Sequence, residues 1–228
     1  MVEVLEIGNP PIFVTLKQSA RAQRFSLRIS KADGGISLTM PKRAAIQDAI
    51  AFARDHDQWI RKHLGKRPHQ VLPAFGGSIL LDGMEVSIKH GEGRQVRFDA
   101  GVLYVPGNDT QVPSKLRAFY KIIARDRLVQ ASDGYAKIVG RSFSRITLRD
   151  TRSRWGSCTS EGNLMYSWRL IMAPRKVQNY VAAHEVCHLV EMNHSKAFWH
   201  QVAAIYPDYK QQQVWLQEHG SYLHRYQF

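Results

Sequence analysis

The stretch His184-Glu185-Val186-Cys187-His188-Leu189-Val190-Glu191-Met192-Asn193-His194 decides how the rest of the chain is read. Its first two histidines are four residues apart. Four residues turn an α-helix by about 400°, so both imidazoles leave one face a turn apart, spaced to hold one zinc ion. Glu185 follows the first of them, where a carboxylate reaches an activated water without ligating the metal. That is the place of a general base. A catalytic zinc takes three protein ligands and keeps one position open. His194 supplies the third if the helix breaks after His188. A continued helix would carry it about 9 Å along the axis and off the ligand face. Asn193 is the expected hinge, because Asn tolerates the left-handed conformation.

The His188-to-His194 spacing equals that of the metzincins, but Glu191 stands where they have glycine. Glu191 is therefore a rival ligand, or a partner that fixes a histidine tautomer. A surface helix with two unrelated histidines is the plain alternative to a metal site. Cys187 projects off the ligand face and is expected in the core. Ser195 is placed to cap a helix after the break, with Phe198 and Trp199 as core residues beneath the histidines.

Upstream, Pro174 opens the helix that carries the motif, and LMYSWRLIM (164–172) reads as a strand beside it. Before that strand come Arg152, Arg154 and Trp155, then Gly156-Ser157-Cys158. In a strand, Arg152 and Arg154 would share a face. Two guanidinium groups near a zinc clamp a phosphate chain, or hold an oxyanion or carboxylate in a peptidase. A structural ion pair is the ordinary alternative. Trp155 and Trp168 offer faces for a nucleobase, with core packing the ordinary reading of both. Cys158 is expected as a buried thiol. His200, Tyr206 and Tyr209 are weaker polar candidates.

Residues 1–110 read mostly as strands: FSLRI (25–29), ISLTM (36–40), EVSIKH (85–90), QVRFDA (95–100) and VLYVP (102–106). Gly34-Gly35, Asp82-Gly83 and Ala100-Gly101 read as turns. One helix is expected over 43–64, stopped by Gly65. After Pro106-Gly107-Asn108-Asp109 the pattern changes. Ser114 reads as the N-cap of a helix with an apolar stripe of Leu116, Phe119, Tyr120 and Ile123, and a second helix is expected over 131–139. RITLR (145–149) reads as a strand and residues 208–219 as a final helix ending at Gly220. The expectation is an α+β chain: a mostly-β domain over 1–110, then an α+β domain over 111–228. No internal repeat is visible.

At 228 residues the chain is long enough for a sizeable core. No apolar run approaches a membrane span, no secretory signal opens the chain, and two cysteines make no disulfide framework. A cytoplasmic protein is expected, with no membrane partner. The net charge is +13. Residues 115–154 hold eleven Lys or Arg against Asp126, Asp133 and Asp150, an excess of eight directly upstream of the metal run. Such an excess serves solubility, or points to a nucleotide, nucleic acid or phosphorylated substrate.

RSRWGSC (152–158), NLMYSWRLIMAP (163–174), HEVCHLVEMNHSKAFW (184–199) and PDY (207–209) resemble the YgjP-like metal-dependent hydrolases, which are related in their helical part to SprT-like proteins. SLRI and WIRKHL nearer the N-terminus carry the resemblance over most of the chain. It implies a zincin-like C-terminal half, Zn²⁺ on His184, His188 and His194, and Glu185 as base. It also implies a substrate question, since both metallopeptidase and UTP pyrophosphatase activity are attributed to the family.

Three readings follow. In one, a nucleoside triphosphate, carrying Mg²⁺, is cut while Arg152 and Arg154 neutralise charge and Trp155 meets the base. In another, a peptide lies along the 164–172 strand by β-augmentation and is cut by the same water. In the last, the chain binds nucleic acid. The metal motif alone favours the peptidase; the local charge excess, the paired arginines and the activity that the resemblance implies favour the nucleotide.

Overall fold

The computed structural model describes residues 3–30, 34–64 and 69–228. The chain forms two compact units, Met1–His69 and Gln70–Phe228.

In the first unit, β1 (Glu3–Ile7), β2 (Ile12–Ser19), β3 (Ser26–Ile29) and β4 (Ile36–Pro41) form one sheet in the order β1-β2-β4-β3. Alternation sets the buried face: Ile12, Val14 and Leu16 on β2 and Ile36, Leu38 and Met40 on β4 point inward. Ala49, Ala53 and Ile60 join the same core from two helices, α1 (Ile46–Asp55) and α2 (Asp57–Leu64). The single helix expected over 43–64 is thus interrupted at His56, whose Nδ1 lies 2.8 Å from the carbonyl of Phe52. A side chain engaging that carbonyl competes with the helical ladder. The Gly65 stop lies outside the described residues.

The second unit begins with another sheet. It contains β5 (Ser78–Leu81), β6 (Met84–His90), β7 (Arg97–Asp99) and β8 (Val102–Val105) in the order β5-β6-β8-β7. The turns at Asp82-Gly83 and Ala100-Gly101 have positive φ at both residues (55° and 80°; 44° and 81°), as type I′ hairpins require. Each four-stranded sheet has two antiparallel hairpins joined through a parallel central pair. The same topology therefore occurs twice, a repetition the sequence does not display.

The expected division at residue 110 does not match these units. Ile79, Val86, Ile88 and Leu103 of the β5–β8 sheet share one apolar core with Leu116, Tyr120 and Val181. Most strands of the expected N-terminal domain's second half therefore belong with the metal-motif half.

Residues 112–139 form one helix, α3 (Val112–Val139), rather than two. Pro113 sits in its first turn, and Gly140 caps it with φ 65°. Its buried stripe runs Val112, Leu116, Tyr120, Ala124, Leu128, Ser132, Ala136. Small residues in that stripe let α4 (Arg175–Cys187) pack closely against it.

The last sheet is small: β9 (Arg145–Arg149), β10 (Gly156–Cys158) and β11 (Asn163–Ser167), in the order β10-β11-β9. The strand expected over 164–172 stops at Ser167, and Trp168–Met172 form a fully buried 3-10 turn. β11 is central, paired with β9 on one side and β10 on the other, so no peptide can add to it. The unpaired edge nearest α4 belongs to β10. Helices α5 (Lys196–Ile205) and α6 (Tyr209–His219) complete the unit. The chain is thus α+β, with the HExxH helix packed between a long helix and a sheet edge. No helix among the described residues is long and apolar enough to cross a membrane.

Candidate metal centre

The site depends on two polar clamps. Asp82 lies at the β5–β6 turn and meets Arg127 of α3, Gln178 of α4 (3.0 Å) and Arg175 (3.3 Å). The Gly83 N–H donates to the carbonyl of Met172 at 2.9 Å. These contacts fix the start of the metal helix. The second clamp is Arg169, nearly buried in the 3-10 turn. It donates to both oxygens of Asp150 (2.6 and 3.1 Å) and to the carbonyls of Leu223 and Tyr226 (3.0 Å each). A buried, bidentate, fully engaged guanidinium is a rigid anchor. Asp150 is thus held at the start of the loop bearing Arg154. The loop's end is held where the Ser167 N–H donates to the carbonyl of Trp155 at 2.8 Å.

On α4, His184 and His188 share a face, and the helix ends at Cys187. The chain turns over residues 188–191, where the Glu191 N–H still reaches the Cys187 carbonyl at 3.0 Å. Asn193 is not the left-handed hinge expected: among the described non-glycine residues only Asp82 and Ala100 have positive φ. The reversal is spread over the turn instead. It ends at Ser195, whose hydroxyl accepts from the Phe198 N–H at 3.2 Å and caps α5.

The break brings His194 back. Ligating atoms of His184, His188 and His194 lie within 4.8 Å of one another. The Nε2 atoms of His184 and His194 are 3.1 Å apart. Three nitrogens about 2.0–2.1 Å from one tetrahedral zinc would lie roughly 3.3–3.4 Å apart; the His184–His194 pair is already close to that spacing, and the cluster as a whole is compact enough for one ion to draw together. His188 Nδ1 lies 2.9 Å from the Glu191 carbonyl, which leaves its Nε2 free for a metal. Glu191 thus orients a histidine through its backbone, and its carboxylate is outside the ligand cluster. His184 Nδ1 is buried without a hydrogen-bond partner. Burial, then the neighbouring His188 and His194, push His184 down to about 3; burial also lowers His188. Both rings are held neutral, the form that ligates metal. Phe198 stacks on His188 at 4.4 Å and 23°, and Trp199 on His194 at 5.7 Å and 24°, forming an apolar floor.

Glu185 is buried beside the triad. Burial raises its pKa to about 8, and the Arg154 guanidinium pulls it back. Gly156 on β10 makes room for it: a Cβ there would stand 2.5 Å from Glu185 Oε1. Only glycine lets the sheet edge approach so closely.

Trp155 lies at a hollow beside this cleft, and Arg154 at the cleft itself. Arg154, Gly156, Ser157 and Cys158 line it with the histidines and Glu185. On the other side of Glu185 a more apolar hollow of about 230 Å³ is lined by Arg154, Trp155, Tyr180 and Leu216. Trp155 stacks on His224 at 5.2 Å. Arg152 does not share a strand face with Arg154; both are in a loop, and Arg152 lies near enough to His224 to help lower its pKa. Trp168 is fully buried and presents no face to a ligand. Burial raises the Cys158 thiol to about 11 and the buried Cys187 thiol to about 12, so neither is a ready thiolate. Tyr206 donates to the Lys176 carbonyl (2.8 Å), and Tyr209 stacks on Trp199.

Sequence reading missed Gly156, Arg169 and Tyr180. Tyr180 precedes His184 by one helical turn, a spacing that signals a shared face. Gly156 and Arg169 act through contacts distant in sequence.

Comparison with solved structures finds the crystal structure of the metallopeptidase zymogen of Pyrococcus abyssi abylysin, with 16% identity and a TM-score of 0.36, covering 40% of this chain and 93% of that one. No curated protein matches the chain. The model of the YgjP-like family's metallopeptidase domain matches residues 23–219. The chain therefore belongs to the YgjP-like family and is a zinc-dependent hydrolase.

Proposed function

We propose that this hydrolase cleaves a nucleoside triphosphate, UTP by the family resemblance, releasing pyrophosphate. His184, His188 and His194 would hold the zinc, which supplies Lewis-acid activation of water at neutral pH. Glu185 in its carboxylate form, which the neighbouring Arg154 favours against burial, accepts the proton of the attacking water. The new bond forms from that oxygen to the α-phosphorus, and the bridging oxygen leaves with pyrophosphate. The observation that carries this reading is Arg154. It lines both the histidine cleft and the hollow of Trp155 and Tyr180. A cation there neutralises phosphate beside Glu185, while the aromatic hollow receives the base. Arg152 lies near His224 and lines neither of these two cavities, so Arg154 rather than Arg152 is assigned that contact.

One observation favours a metallopeptidase. The edge of β10 that does not pair with β11 runs beside Glu185, and an extended peptide could add there. The test compares release from the four common nucleoside triphosphates and from casein on one zinc-loaded preparation. UTP turnover that falls in rising salt, and by roughly tenfold or more in Arg154→Ala, supports the proposal. Salt-insensitive casein cleavage without nucleotide turnover makes the chain a peptidase.

A further inference from the structure

A third hollow, of about 460 Å³, adjoins the metal cleft and shares Ser153, Arg154 and Ser157 with it. It lies on the outer face of the β10-β11-β9 sheet. Arg145, Thr147 and Arg149 stand at every second position of β9, so all three side chains project to this face. Asn163 pairs opposite Arg145, and Met165 lies between Thr147 and Ser157. Arg145, Arg149 and Arg154 thus surround one pocket whose described lining contains no carboxylate. Among the described residues, no salt bridge engages any of the three. Arg154 also faces the Glu185 carboxyl in the adjoining cleft, whereas no carboxylate of the described lining faces Arg145 or Arg149, whose two guanidinium forks are available to an anion. Thr147 and Thr151 donate to the backbone carbonyls of Leu164 and Arg154, and Asn163 Nδ2 donates to Thr159 Oγ1, so the Ser153, Ser157 and Thr159 hydroxyls are the lining donors suited to phosphate oxygens.

We propose that this basic hollow is a phosphate subsite holding the pyrophosphate end of the substrate, with Arg145 and Arg149 as its binding residues. The inference rests on the nucleotide reading, since the hollow continues from the cleft where Glu185 acts. It adds two specificity-determining residues outside the metal motif. A substrate with a phosphate chain fills cleft and hollow together, whereas a monophosphate leaves the hollow empty.

The test uses the zinc-loaded full chain and inorganic pyrophosphate as probe, by calorimetry, beside UTP kinetics. In Arg145→Gln/Arg149→Gln, pyrophosphate affinity should fall by roughly tenfold or more for each arginine removed. KM for UTP should rise while zinc content and melting temperature hold. Arg145→Lys/Arg149→Lys should recover part of the loss, because charge returns without the planar fork. Arg117→Gln/Lys121→Gln, on the exposed side of α3, should bind pyrophosphate like wild type; an equal loss there would reduce the effect to net charge and overturn the proposal. Unchanged pyrophosphate binding and UTP kinetics in the Arg145/Arg149 variant would also overturn it, leaving nucleotide hydrolysis intact. Arginine-dependent pyrophosphate binding without UTP turnover would retain the subsite and remove the nucleotide reading. Arginine-dependent binding of a single-stranded oligonucleotide, with none of pyrophosphate, would replace the proposed subsite with a nucleic-acid surface.

Discussion

Gly156→Ala tests how Glu185 is positioned without altering any charge. The added Cβ would stand 2.5, 2.6 and 2.7 Å from Oε1, Cγ and Cδ of Glu185. Ordinary contact begins near 3.4 Å, so the carboxylate or the β10 edge must retreat by about 0.9 Å. Glu185 is only 5% exposed, so it has little free space to enter. Overpacking of this kind costs about 1–3 kcal/mol of stability. The catalytic effect should be larger than the stability effect, since a displacement near 1 Å can cost ~10²-fold in rate. Zinc content should hold, because Gly156 touches no histidine of the triad in these contacts. The decisive assay is a double-mutant cycle with Glu185→Gln, measuring kcat/KM for the substrate identified in the release assay. If Gly156 acts by making room for the base, its substitution costs little more once the base is gone. An equal fall in both backgrounds would refute that reasoning and assign Gly156 to substrate contact or fold alone.

Glu185→Gln alone should retain zinc and lose about 10²–10⁴-fold in turnover, the range for a general base, measured with metal analysis on the same sample. His188→Ala should lose the zinc-dependent rise in melting temperature that wild type shows on metal addition, because a ligand binding only the folded state stabilises it by mass action. His224, away from the triad, gives a pH signature. Burial, then Arg169 and Arg152, hold it down at about 4, against the opposing pull of Asp150. Between its unfolded value near 6.5 and about 4, the unfolded chain binds a proton that the fold does not, so stability falls as pH falls through that window. Chelator-treated wild type should therefore lose more stability from pH 7 to pH 4.5 than His224→Gln; parallel curves would show that this histidine does not report the predicted linkage.

The metal motif was legible because its geometry is local. His184, Glu185 and His188 lie on one helix, and helical periodicity alone sets their relation. His194 required a break, and the sequence located the break correctly but not its mechanism: Asn193 invited a left-handed hinge, while the structure unwinds the helix through backbone contacts over 188–191. The domain boundary was less legible. Strands 78–105 look like those of the first unit because the same sheet topology is built twice. Which core each sheet joins depends on long-range packing, and strand alternation carries no label for its partner.

Residues 164–172 show the same limit at the site. Their apolar run is compatible with a strand or a buried turn. Tertiary context divides it at Ser167, because Arg169 must turn toward Asp150, Leu223 and Tyr226 at once. Within the remaining strand, pairing with β9 on one side and β10 on the other makes β11 central and leaves β10 as the edge at the metal helix. A single buried guanidinium therefore links where the sheet ends and how the Arg154 loop is held. None of these links has a periodicity, since each joins positions that are distant in sequence. The sequence could single out His184, Glu185 and His188 as candidates because they lie together on one helix. The residues that aim them, Gly156 and Arg169, emerge only when the chain is folded.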